Sequence, residues 1–358
     1  MKQFVITKND ADQRLDKFLT KAVPLLPQSL LYKYIRTKRI KVNRGRAEIS
    51  TRLQTGDVVE LYINDEFFAP AAVKHDFLGA SSTIDAVYED ENILLLNKPA
   101  GLLSHPDEGE YVDTLITRVK RYLFEKGEYH PEDSASFAPA LANRIDRNTA
   151  GIVIAAKNAE ALRILNEKIK SREIHKRYLC VVHGRMEKKE DTLHGWLFKD
   201  EAKNKVFVFQ ARREGSREIK TKYSVLAEKN NLSLLEVDLL TGRTHQIRAH
   251  LAAIGHPLLG DGKYGTNVQN RQWGYKKQFL CSYKLLFDFA SDSGPLAYLD
   301  KREFALEAVW FRDEFFALEP GRDSGAKNTA LAGKQGRHKQ KSGGNARQSA
   351  TAVRRKLP

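Results

Sequence analysis

The chain has 358 residues, 41% hydrophobic and 29% charged, which is enough for one or two hydrophobic cores. Its excess of +15 sits at the two ends: residues 1–65 carry 13 Lys/Arg against 7 Asp/Glu, residues 321–358 carry 10 against 1, and the body between them is neutral. No apolar run approaches the roughly 20 residues of a bilayer span, the N-terminus lacks a signal-peptide apolar region, and the two cysteines, Cys180 and Cys281, sit in apolar contexts that suit buried small side chains and exclude a disulfide framework.

These totals predict a cytoplasmic protein that binds no membrane. A neutral body with two basic ends suggests polyanion-binding attachments on a catalytic or structural core. Solubilising charge is the plainer reading, and the near-absence of acids from the tail weighs against it.

Residues 1–65 read as a small separate module. Leu15, Phe18 and Leu19 give the i, i+3, i+4 pattern of a helix, which Pro24 and Pro27 end. Ser29 is the expected N-cap of a second helix over 30–36. Strands are expected at 38–42 and 58–63, with the turn Asn43-Arg44-Gly45 after the first. Lys33, Arg36, Lys38, Arg39, Lys41 and Arg44 cluster on the second helix and the turn, and Arg46 follows. Such a cluster suits phosphates, whereas a merely solvated face more usually mixes in acids.

Residues 66–82, with Pro70, Gly79, Ser81 and Ser82, read as a linker. The body follows, from 83 to 320. Strands are expected near 86–88 and 93–96, then a Pro/Gly-punctuated loop from Asn97 to Pro106. Asp113 is the expected cap of a helix over 114–126, with Leu115, Val119 and Tyr122 as its apolar stripe. The stretch 143–151, Asn-Arg-Ile-Asp-Arg-Asn-Thr-Ala-Gly, sets Asp146 between two arginines just before the apolar run 152–156. An unpaired carboxylate is costly to bury, so the stretch is either a solvated turn or a site.

A helix is expected after Asn158, with Ala161, Leu162, Leu165 and Ile169 inward and Lys168, Lys170 and Arg172 at its C-terminal dipole. Strands are expected at 179–182, 206–209, 220–227 and 232–240. Thr244 is the expected start of a short helix that Gly255 stops, with Thr244, His245 and Arg248 on one face. Strands with occasional helices, without strict βαβ alternation, predict an α+β fold with a largely antiparallel or mixed sheet. The tail, 321–358, nearly lacks large apolar residues and is expected to be disordered.

His245, His250 and His256 are spaced by five and six residues, not the i, i+4 of a helical zinc pair, so no metal is expected. The run 255–263 has Asp261 where a phosphate loop needs Lys. Nucleotide and nucleophile-elbow signatures are also missing.

Two resemblances emerge from the motifs. RLDKFL (14–19), SLLYKYIRTKRIKVN (29–43) and Gly56-Asp57 resemble the alpha-L RNA-binding module. NKPAGLLSHP (97–106), NRIDRNTAG (143–151), KRYLCVVHG (176–184) and TGRTHQIRAHLAAIGHPLLGDGKYG (241–265) resemble the RluA-type pseudouridine synthases in order and spacing, with LCSYKLLFDF (280–289) as the last core strand. The arrangement with the module resembles the large-subunit ribosomal RNA members. The departures are Asn143, where the family usually has His, and Ala150, where it usually has Ser.

The resemblance implies the pseudouridine synthase fold, a mixed and largely antiparallel sheet with flanking helices. It implies Asp146 as the essential catalytic aspartate, Arg248 as its basic partner, Tyr178 near the target uracil, and Arg144 in the space left by a flipped nucleotide. Arg147 keeps a structural or phosphate-contact reading.

The chemistry agrees. Converting uridine to pseudouridine breaks N1–C1′, turns the uracil and forms C5–C1′. It involves no net redox change, so no cofactor is expected. One carboxylate can attack C1′ or take a sugar proton, and a base inside a helix must first be extruded. The implied partner is structured RNA: ribosomal RNA, or alternatively transfer RNA, bound by a monomer. A non-catalytic ribosomal-RNA-binding factor and a glycosidase-like hydrolase are the competing readings. The second needs another carboxylate across the scissile bond.

Overall fold

The computed structural model describes residues 1–68, 75–275 and 277–320. The basic tail and residues 69–74 of the expected linker lie outside them.

Six elements build the N-terminal part: β1 (Lys2–Val5), α1 (Leu15–Ala22), α2 (Gln28–Arg36), β2 (Ile40–Val42), β3 (Gly45–Arg46) and β4 (Val58–Leu61). The strands form an antiparallel sheet in the order β1-β4-β2-β3. It has its own core, including Leu15, Phe18, Leu19, Leu31, Ile35 and Val59. The second helix starts earlier than expected. Its N-cap is Pro27, without a side-chain cap, and Ser29 lies inside the first turn. Proline fits here because its fixed φ starts a helix whose first N–H groups lack partners anyway.

This part is fastened to the body by Asp10, which is fully buried. Its carboxylate accepts from Thr7 Oγ1 (2.8 Å), Ser134 Oγ (2.8 Å), Ser136 Oγ (2.7 Å) and the backbone N–H of Ala135 (3.2 Å) and Ser136 (2.8 Å). Burial pushes its carboxyl up, the serine, threonine and backbone donors outweigh that, and the net displacement is downward. Asp10→Ala should cost about 1.5–3 kcal/mol, the worth of hydrogen bonds to a charged group. The expected readouts are a lower urea midpoint and faster amide exchange at residues 134–136. With a lowered folded pKa, the contribution is full above about pH 4 and fades on further acidification, so the difference from wild type should shrink there.

Within the segment expected to link the two parts, Phe77 is fully buried and packs on Phe124 and Tyr129. The second half of that segment is therefore fixed to the body.

The body is an eleven-stranded sheet. In chain order come β5 (Ala86–Glu89), β6 (Ile93–Lys98), α3 (Leu115–Glu125), β7 (Ala140–Leu141), β8 (Ala150–Ala156), α4 (Ala159–Lys170) and β9 (Ile174–His183). Then follow β10 (Glu190–Asp200), β11 (Lys205–Phe209), β12 (Arg217–Lys229), β13 (Leu232–Asp238), α5 (Gln246–Ala253), α6 (Asn267–Trp273), β14 (Leu280–Phe287) and β15 (Glu303–Ala305). The strand order is β11-β10-β12-β13-β9-β14-β8-β6-β5, with β15 on β14 and β7 on β8. Every pairing is antiparallel except β8 with β14.

Both faces of the central strands are covered, which explains why 93–96, 152–156 and 179–182 are continuous apolar runs and do not alternate with polar residues. Ile93, Ile152, Ile154, Leu179 and Val181 face one core, with α4. Leu94, Val153, Tyr178, Cys180 and Val182 face the other, with α3 and α5. Cys180 and Cys281 are buried on opposite faces, as free thiols.

Two local expectations are corrected. Thr114, not Asp113, caps α3 in a reciprocal box with Thr117. Asp113 instead takes a bidentate pair from Arg118, at 2.7 and 2.6 Å. Lys168 is not a solvated dipole partner. It is buried and donates to Glu173 (2.7 Å) and Ser291.

Candidate active site

Asp146 lies in the loop that leads from β7 into β8. The loop is pinned through its carbonyls. Ser104 Oγ donates to Ile145 O (2.9 Å), and Lys98 Nζ and Gly101 N donate to Arg147 O (2.9 and 2.8 Å). The NKPAGLLSHP stretch therefore acts as a clamp on the loop that carries Asp146. Lys98 is fully buried, and its other two donors go to Pro99 O and Leu102 O. Burial pulls its ammonium down to about 7, against the attraction of Asp146. Three carbonyls need three N–H donors, which only the charged form supplies. Arg147 is exposed and donates to Gly101 O at 3.1 Å, consistent with a structural part.

Gly151 ends the loop at φ +114°, and a Cβ there would lie 2.2 Å from Ser282 O. Only glycine lets β8 approach β14 so closely. The parallel register sets Gly151 against Ser282, and the antiparallel register on the other side of β14 sets Ser282 against Tyr178. The sheet thus brings Tyr178 next to the Asp146 loop. Burial, with the Asp146 charge, raises the Tyr178 phenol to about 12, so it remains a protonated hydroxyl.

Arg248 arrives from α5. Its Nη1 donates to Asp146 Oδ2 at 2.9 Å, while Nε and Nη2 hold Asp261 at 2.7 and 3.0 Å. Asp261 has no exposed side-chain surface, and Asp146 retains 25%. Asp261 also accepts from the N–H groups of Lys263 and Tyr264. Burial raises the Asp261 carboxyl, Arg248 and these N–H groups lower it, and the net shift is down. One guanidinium therefore joins a buried anion that fixes it to a partly open anion that faces the cleft.

The helix carrying Arg248 begins at Gln246, not Thr244, because His245 takes the left-handed conformation at φ 54°. That turn aims the imidazole at the same carboxylate, with Nε2 3.6 Å from Asp146 Oδ2. Tyr264 Oη accepts from Val206 N–H (3.1 Å) and lies 2.9 Å from His245 Nδ1, to which its proton is best donated. This leaves the remaining imidazole proton on Nε2, toward Asp146. Burial lowers the His245 pKa, with Asp146 opposing, which favours the neutral ring.

The cleft has a volume of about 600 Å³ and is lined by Arg144, Asp146, Tyr178, His245 and Arg248, a volume typical of small-ligand sites of about 300–1,000 Å³. Lys170, Arg172, Lys176 and Arg243 also line it. Arg144 is exposed and makes no ion pair among the described residues. The four residues expected at the site therefore converge. The six expected RNA-binding cations do not reach the cleft: Lys33, Arg36, Lys38, Arg39 and Arg44 are exposed on the N-terminal part, with Lys41 half-buried. Sequence reasoning gave no site role to Asp261, Tyr264 and Lys98, all within recognised motifs, and weighed His245 as a metal ligand and as a neighbour of Arg248 on a helix face, not as a partner of Asp146. His250 and His256 are occupied elsewhere, by Thr221 Oγ1 and His183 O.

Residues 92–253 match the family described as RNA pseudouridylate synthase. An uncharacterized RNA pseudouridine synthase of Mycoplasma genitalium is 33% identical over 294 residues, 80% of this chain and 88% of that one. The chain belongs to the RNA pseudouridine synthase family. The ribosomal large subunit pseudouridine synthase C of Haemophilus influenzae is 29% identical over 315 residues, 86% of this chain and 94% of that one. The solved human RNA pseudouridylate synthase domain-containing protein 1 covers 67% of this chain and 96% of its own, at 21% identity and a TM-score of 0.48. The family assignment favours an RNA pseudouridine synthase over the hydrolase reading.

Proposed function

We propose that this enzyme isomerises one or more uridines of large-subunit ribosomal RNA, with Asp146 acting on the sugar of a flipped nucleotide. The observation that carries the reading is the Asp146–Arg248–Asp261 array at the cleft: a carboxylate open on one side and held on the other. A sugar placed there meets a carboxylate whose counter-charge is already fixed, so little reorganisation accompanies the reaction. The N1–C1′ bond breaks, the uracil turns in the cleft, C5 bonds to C1′, the C5 proton leaves to solvent, and N1 takes up a proton in its place, so that the product is an isomer of the substrate. Tyr178 supplies a protonated hydroxyl and an aromatic face beside the base. Arg144, without an ion pair among the described residues, takes the place vacated in the RNA.

The mouth cations and the exposed basic face of the N-terminal part support an extended RNA substrate. Residues 1–65 act as the RNA-binding module, ahead of the linker and the catalytic body. The ribosomal relatives favour large-subunit RNA over transfer RNA. The enzyme works as a monomer in the cytoplasm, away from membranes, where that RNA is assembled.

Pseudouridine mapping in ribosomal and transfer RNA from cells with and without the gene is the test. Loss of one or a few sites in large-subunit RNA is expected. Losses confined to transfer RNA would overturn the substrate. Deleting residues 1–65 should weaken RNA binding and flatten its salt dependence, and unchanged affinity across several salt concentrations would refute the module's role.

A further inference from the structure

The β10–β11 hairpin reverses the usual distribution of side chains. Its inward face is ordinary: Leu197 and Val206 are buried with Ile219 and Ala249 of α5. Its outward face carries four aromatic rings. The register pairs Trp196 with Phe209 and Phe198 with Phe207, and residues directly opposite on antiparallel strands share a face. None of the four is buried, and Phe198 is 37% exposed.

Cations cover these rings. The Arg213 guanidinium lies 3.6 Å from the Phe209 centroid and that of Arg212 5.6 Å from Trp196. Lys203 and Lys205 lie 5.8 and 6.0 Å from Phe207. Arg212, Arg213 and Lys205 have no ion pair among the described residues, so three positive charges sit unneutralised over an aromatic sheet face. Nearby acids are Asp200, which holds Lys203, Glu201, which holds Lys199, Glu218, which holds Lys220, and the exposed Glu214 that follows Arg213 in the chain.

The edge of the hairpin, not its outward face, lies toward the cleft. β11 is the last strand of the sheet, and Tyr264 bridges from Val206 N–H to His245. Lys205 also lies 5.4 Å over the Tyr264 ring. A strand of RNA leaving the cleft past His245 reaches this edge directly.

We propose that the outward face of the hairpin is a stacking platform for single-stranded RNA flanking the target uridine. The combination is selective for this partner: aromatic faces and guanidinium planes accept any base by stacking, and unpaired cations accept the phosphates between them. A protein strand added to β11 would use its backbone edge and would leave the cation-covered rings unexplained. The inference rests on the enzyme acting on RNA and adds where the flanking nucleotides lie.

The probe is a fluorescein-labelled oligocytidine 12-mer, which lacks uridine and so leaves the catalytic step unengaged. It is added to the full chain, with tritium release from C5-tritiated ribosomal RNA measured in parallel. Arg212→Ala/Arg213→Ala removes exposed, unpaired side chains. It is expected to weaken oligocytidine binding about tenfold and to lower the salt slope by about 1.4, or 0.7 per single-strand phosphate contact. On ribosomal RNA it should raise KM with kcat unchanged. Trp196 fluorescence should be quenched by the 12-mer, a signal lost in Trp196→Phe and kept in Trp310→Phe. Unchanged affinity with unchanged quenching would overturn the platform. So would a double variant that binds RNA normally but loses self-association by sedimentation, since that assigns the face to a second copy. A wild-type protein releasing no tritium would instead overturn the substrate reading, which separates the two failures.

Discussion

Asp146→Asn is expected to leave a folded, RNA-binding protein that no longer makes pseudouridine. The geometry explains why both halves of this result should hold. Asparagine removes the charge that acts on the sugar, and loss of such a group typically lowers kcat by about 10⁴-fold or more. Arg248 is not stranded, because Asp261 still holds it through two nitrogens. Asp146 itself is partly open to solvent, so its neutral replacement buries no unpaired charge. Tritium release from C5-tritiated uridine in RNA measures the first half, and thermal melting with RNA binding the second. Release near the wild-type rate would remove Asp146 from the chemistry. Arg248→Ala is a poorer test, since it leaves the wholly buried Asp261 without its counter-charge and damages fold and site together.

Asp261→Asn should do the opposite and strike stability as well as rate. Breaking one partner out of a buried pair typically costs about 3–5 kcal/mol, which for a domain of this size is a fall of roughly 10 °C in Tm. The amide can accept from only one side, so Arg248 loses the bidentate grip that aims Nη1 at Asp146, and activity falls with it. The pH dependence has a definite sign. The folded Asp261 pKa is lowered, so its contribution is full above about pH 4 and disappears as the pH falls further; wild type and variant should converge there. A variant that melts like wild type at neutral pH would show that the guanidinium is held by something other than Asp261.

The contrast between these two aspartates shows what could be read in the sequence. Asp146 stands out because it interrupts an apolar approach between two arginines, and its pairing with Arg248 was implied by the family resemblance. Asp261 sits between two glycines and looks like a turn residue. Its importance comes from total burial thirteen residues away from Arg248, which no local pattern records. His245 was hidden for a similar reason, since helical spacing assigns it a helix face, whereas a left-handed backbone swings it toward the carboxylate. Asn143 has Oδ1 on Ile154 N–H at 2.8 Å, a structural task unrelated to its being a departure from the family motif.

The sheet was legible where burial on both faces made apolar runs continuous. It failed at β10, whose inward positions include Gly195. A Cβ there would meet Val208 at 3.0 Å and the His250 ring at 3.3 Å. The largest side chains of that strand point outward, the reverse of the pattern that marks a strand in sequence. The α+β class and mixed, largely antiparallel sheet were nevertheless readable from the spacing of the remaining strands.

The position of β14 bears on how the protein comes into being. Its residues are among the last of the body to be synthesised, yet it lies in the middle of the sheet between β9 and β8. Ala150 waits for Cys281, and Asp146 for Arg248 more than a hundred positions later. Such long sequence separation slows folding. Until that strand arrives, β8 and β9 each carry an unpaired apolar edge, the kind of surface that aggregates or recruits chaperones. The N-terminal sheet closes within its first 61 residues. A nascent chain therefore has a folded N-terminal part well before it has an active site, and truncation anywhere before β14 removes the catalytic arrangement altogether.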